Sequence, residues 1–135
     1  MESATDLDDL AENEQVLGFL LAIHGGVHLI GAVMSWRLFE VRRFVYEDLW
    51  PTPGTAPGYL AGVIWGLAAV WVGVAGIRLA ARRPVSRAQV AGGLTLSLAI
   101  TSTSVPATLP GATISAAMLL AMGVLALRRR RVSRR

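Results

Sequence analysis

The chain has two histidines, His24 and His28, four residues apart near the middle of a long apolar segment from Val16 to Trp36. An imidazole can ligate haem or a divalent metal, relay a proton, or hydrogen-bond to a hydroxyl or carbonyl group. At that depth in apolar surroundings an ionisable side chain is costly, and it faces a bundle interior or a cavity. On a helix of about 3.6 residues per turn, Leu17, His24, His28, Gly31 and Ser35 project within one narrow arc. The two imidazoles are then stacked on one face, and Gly31 on that face lets a neighbouring helix come close.

Each chemistry has its own requirements. A metal site needs more than two ligands, and the chain has no Cys, no third His and no acid inside an apolar segment. Glu40, Glu47 and Asp48 lie beyond the end of the first segment. Two imidazoles at i and i+4 of one helix cannot reach opposite faces of one haem, so bis-histidine ligation would need a homodimer. The structural reading asks less: each neutral imidazole bonds to a hydroxyl on another helix. Thr95, Ser97, Thr101, Ser102, Thr103 and Ser104 offer such partners. The expectation is therefore a polar stripe of His24, His28, Gly31 and Ser35 with no cofactor. Haem or divalent-metal binding through His24 and His28 is one alternative. A small oligomeric transporter with a histidine proton relay, its path lined by the Ser/Thr-rich third segment, is the other.

No enzymatic apparatus accompanies the pair. The sequence holds no phosphate-binding loop, HExxH, GxSxG or dinucleotide fingerprint, and no nucleophile with a base beside it.

The elements that must position the histidines are legible from hydropathy. At 135 residues, 53% hydrophobic and with mean hydropathy +0.52, the chain is too apolar for a soluble domain of this size. Four apolar stretches, 16–36, 58–80, 88–105 and 111–127, are separated by charge or by Pro and Gly. About 20 helical residues cross a hydrocarbon core of about 30 Å. The third and fourth stretches are short and need local bilayer thinning or shelter among other helices. The expected fold is all-α, with four transmembrane helices forming one bundle.

Charge gives the threading. Residues 1–15 carry six acids and no base, which argues against a signal peptide and reads as a solvated, partly disordered tail. Residues 128–135 carry six arginines, and every basic residue in the chain is Arg. Arg82, Arg83, Arg87 and the C-terminal arginines share one side of a four-span topology. By the positive-inside rule both termini are cytoplasmic, in a cytoplasmic (inner) membrane. Arg82, Arg83, Arg128, Arg129, Arg130 and Arg131 are expected to contact anionic lipid headgroups rather than nucleic acid.

Trp36, Tyr46, Trp50 and Tyr59 fall near the opposite side, as an interfacial aromatic belt does. Between them Leu38, Val41, Val45 and Leu49 follow a helical stripe, which fits a short helix lying in the interface. In the second stretch Gly62, Gly66, Ala69, Gly73 and Gly76 form a small-residue stripe that includes a GxxxG pair. It predicts close helix packing, within the chain or with other membrane helices.

The run His24-Gly25-Gly26-Val27-His28-Leu29-Ile30-Gly31, with Trp65 in the second stretch, resembles a group of uncharacterised small bacterial four-span membrane proteins. These open with an H-G-x-x-H-L-x-G helix, then a proline-bearing loop and a Leu- and Trp-rich second helix. The resemblance implies an architecture over about residues 17–125 and no activity. The acidic leader and the Ser/Thr-rich third segment depart from it. The functional expectation is a non-enzymatic accessory or structural subunit of a membrane complex.

Overall fold

The computed structural model describes residues 2–38, 51–103 and 109–132. They form four helices: α1 (Glu2–Ser35), α2 (Ala56–Ala80), α3 (Arg87–Thr103) and α4 (Leu109–Val132), with no strand among the described residues. Each helix packs against its neighbours in the cyclic order α1, α2, α3, α4, α1. Successive helices are antiparallel. Gly18, midway along α1, meets Ala80 at the end of α2, while Gly31 near the end of α1 meets Trp65 earlier in α2. Glu14 in the first half of α1 meets Arg129 near the end of α4.

Three helices are long and apolar enough to cross a membrane: Asp8–Ser35, Ala56–Ala80 and Gly111–Arg131. The chain is a membrane protein by this measure. α3, expected to be a span, is described over 17 residues, about 25 Å of helix, which is short of a hydrocarbon core. The interfacial helix expected over 38–49 lies outside the described residues, apart from Leu38.

Two helix ends differ from expectation. The leader, read as a partly disordered tail, is helical from Glu2, so α1 has 34 residues rather than beginning at Val16. Extending an existing helix avoids the nucleation penalty. Acids near an N-terminus are also favoured by the helix dipole. Leu10 is buried, which gives this extension a packed face. Likewise α4 continues past Leu127 through Arg128, Arg129, Arg130 and Arg131, where basic side chains suit a helix C-terminus.

Both α1 and α2 end on an arginine at the left-handed position where glycine is usual. Arg37 has φ 53° and Arg82 has φ 55°. At each end the two backbone bonds of a Schellman motif close: Arg37 N–H to Met34 O and Leu38 N–H to Val33 O, then Arg82 N–H to Leu79 O and Arg83 N–H to Arg78 O. The start of α2 is set by Thr55, whose hydroxyl accepts from Gly58 N–H, with Pro57 in the first turn.

In a lipid-facing helix hydrophobicity does not separate the inner face from the outer, because both are apolar; residue size does. On α2 the buried residues are Gly58, Ala61, Gly62, Trp65, Ala68, Ala69, Val72, Ala75 and Gly76, nearly all small. Leu60, Val63, Leu67, Val70, Val74 and Ile77 are exposed. The small face lets α1 and α2 approach backbone to backbone. A Cβ on Gly25 would lie 2.6 Å from the Gly73 backbone, and one on Gly76 would strike the Ala22 backbone. Gly66, by contrast, has open space where its Cβ would be. The core divides into two layers. One contains Leu17, Leu21, Val72, Val90, Leu94 and Met118, and the other Ala32, Ala61, Trp65 and Ile100.

Candidate functional site: a buried histidine–serine cluster

The histidines lie between these two apolar layers, one turn along α1 from Leu21 and one turn before Ala32. His24 is 4% exposed and His28 1%. Their rings meet edge to face, 4.6 Å between centroids, and His28 makes a second such contact with Trp65 at 5.0 Å. Gly31 makes the Trp65 contact possible, because a Cβ there would sit 2.7 Å from the indole.

Two serines from other helices complete the cluster. Ser97 of α3 and Ser115 of α4 are both 0% exposed. His24 Nε2 is 3.0 Å from Ser97 Oγ and 2.9 Å from Ser115 Oγ. His28 Nε2 is 2.6 Å from Ser97 Oγ, and the two hydroxyls are 2.7 Å apart. Ser115 also donates to the Gly111 carbonyl at 2.9 Å. With that proton committed, one assignment fills every remaining contact: Ser97 donates to Ser115, and both imidazoles carry their proton on Nε2. His24 then shares its N–H between the two serines. The Nδ1 atom of His28 is buried and has no hydrogen-bond partner among the described residues.

The arrangement ties α1 to α3 and α4 through neutral hydrogen bonds. The described residues bring no third His, Asp or Glu to the pair. Two imidazoles on one helix, each with Nε2 committed to serine, do not compose a tetrahedral metal site.

Other predicted positions fall elsewhere. Ser35 is buried but bonds to the Gly31 carbonyl of its own helix, 2.8 Å away, and so stands outside the cluster. Among the described residues, Ser97 is the one proposed hydroxyl that bonds to the histidines. Ser102 and Thr103 bond to carbonyls of α3, Thr101 bonds to the Ser97 and Leu98 carbonyls, and Thr95 is exposed. Ser104 lies outside the described residues. Ser115 had no sequence signal beyond being a hydroxyl within an apolar run. Gly62 lies against the Trp36 indole, Gly76 against α1, and Gly73 beside Gly25. Arg82 and Arg83 sit in the α2–α3 connection and Arg128 to Arg131 in the last turns of α4, all exposed.

No family model matches this chain, and no curated protein or solved structure does either. The H-G-x-x-H-L-x-G pattern nevertheless has a physical reading within the chain itself. His24 and His28 supply the cluster, Gly25 the crossing with α2, and Gly31 the seat for Trp65. Leu29, between them, is exposed. The spacing describes hydrogen bonding by His24 and His28 on one face of α1 and close packing of Gly25 against α2 on an adjacent one.

Proposed function

We propose that this protein is a non-enzymatic accessory or structural subunit of a bacterial cytoplasmic membrane complex, a four-span bundle with both termini cytoplasmic. The observation that carries the reading is the closure of the His24–His28–Ser97–Ser115 cluster within one chain. Groups that bond to each other fix a helix arrangement and leave the outer faces to make contacts. Those faces are apolar: Ile23, Val27 and Ile30 of α1 and Leu120 and Leu127 of α4 are exposed. They suit lipid and the helices of a partner.

The test is purification of the full chain in mild detergent, with absorbance, elemental analysis and subunit composition read together. The proposal expects a partner at fixed stoichiometry, no Soret band and no bound metal. A Soret band or stoichiometric metal that disappears in His24→Ala would overturn it.

One observation favours a second reading, a proton relay in an oligomeric transporter. The bonds run without a break from His28 through Ser97 to Ser115, and His28 Nδ1 has no partner among the described residues. That reading requires a pH-dependent flux in proteoliposomes that Ser97→Ala abolishes.

A further inference from the structure

A cleft of about 780 Å³ opens where the first half of α1, the α2–α3 connection and the end of α4 come together. Five arginines line it: Arg78, Arg82, Arg83, Arg87 and Arg129. Among the described residues Glu14 is the one carboxylate in the lining, and it pairs with Arg129 at 3.1 Å. Arg82 bonds to Gln15, a neutral partner, at 3.3 Å. The lining therefore carries a net charge of +4, five arginines less one glutamate.

The inner wall is of opposite character. Leu17, Val90 and Met122 line the same cleft; the first two belong to the apolar core layer below the histidines, and Met122 packs against it. The backbone also holds the basic rim in place. Arg82 occupies the left-handed Schellman position despite its Cβ, a conformation that disfavours side-chain-bearing residues other than Asn and Asp. The next turn is fixed by Ser86 and Gln89, each side chain accepting from the other's backbone N–H at 3.1 Å, which caps α3 just before Arg87.

Five guanidinium groups around an apolar wall, at the end of membrane-crossing helices, match a molecule with a phosphate head and a hydrocarbon tail. We propose that this cleft binds one anionic phospholipid, its phosphodiester against Arg82, Arg83 and Arg87 and its first acyl carbons against Leu17, Val90 and Met122. The assignment rests on the membrane reading above but not on the accessory role.

Native mass spectrometry of the full chain in detergent tests it, with phosphatidylglycerol, phosphatidylcholine and inorganic phosphate as probes. One phosphatidylglycerol per chain should bind saturably, and phosphatidylcholine at least about tenfold more weakly. The triple variant Arg82→Gln/Arg83→Gln/Arg87→Gln should lose at least about tenfold in phosphatidylglycerol affinity, and Arg87→Gln alone a smaller part. The control Arg37→Gln removes a charge at the far end of α1, outside the cleft, and should change affinity less than about twofold. Equal losses in cleft and control variants would overturn the site. Inorganic phosphate binding as tightly as the lipid would overturn the lipid assignment. Circular dichroism confirms that each variant is folded, and carbonate extraction of the source membranes reads the membrane assignment separately.

Discussion

His28 Nε2 lies 2.6 Å from Ser97 Oγ, joining residues 69 positions apart on α1 and α3. Ser97 is the hub of the cluster, since it bonds to both histidines and to Ser115. A buried donor deprived of its acceptor loses about 1–3 kcal/mol. Ser97→Ala should therefore destabilise the fold by that amount in denaturant unfolding in detergent. Ser115→Ala leaves His24 its bond to Ser97, and the Ser97 hydroxyl, which loses its acceptor, can rotate to a carbonyl of its own helix, so stability should fall by only about 1 kcal/mol or less. Equal effects would show that Ser97 is no hub.

The glycines of the α1–α2 contact are not equivalent. Gly25→Ala pushes a methyl into the Gly73 backbone and should cost about 1–3 kcal/mol through overpacking. Gly66 faces open space, so Gly66→Ala should be neutral or gain up to about 1 kcal/mol from helix propensity. Gly73→Ala should be nearly neutral, because a Cβ there meets only Gly25 Cα at 4.0 Å. Thermal melts of the three variants check the order.

Size, rather than hydrophobicity, is the reason the sequence was only partly legible. The apolar stretches gave the helices to within a few residues in the middle of the chain, and the i,i+4 spacing put His24 and His28 on one buried face. A small-residue stripe tells which face packs but not what packs against it. The stripe on α2 named Gly73 and Gly76, which lie in the close crossing, together with Gly66, which faces open space. It gave no sign of Gly18 and Gly25 on α1, which complete the crossing. Ser115 was missed because a single hydroxyl in an apolar run equally well bonds to its own helix, as it also does here through Gly111. The acidic leader misled because charge alone signals solvation, while its residues continue a helix already formed.

Glu14 and Arg129 form an ion pair whose side chains are 30% and 58% exposed. Exposed pairs are screened by solvent, so Glu14→Gln should change stability by less than about 1 kcal/mol, and less still at high salt. Unfolding at two salt concentrations measures it. A large loss at both would mean that the α1 extension depends on this contact.

The packing brings the first half of α1, the α2–α3 connection and the end of α4 to one end of the molecule. The chain lacks cysteine, which makes topology simple to read. Single cysteines at Asp9, Arg83 and Arg131 should label with an impermeant maleimide only from the cytoplasmic side, and one at Thr55 only from the other. Labelling of Thr55→Cys from the cytoplasmic side would refute the four-span threading.

The central claim is that the histidines serve the fold by bonding to serines of their own chain. A double-mutant cycle on His28→Ala and Ser97→Ala, read as unfolding free energy in detergent, tests it most directly. A direct bond predicts a coupling of about 0.5–2 kcal/mol, the double variant losing less than the sum of the singles. Strictly additive losses would contradict the account and leave His28 to be explained by something outside this chain.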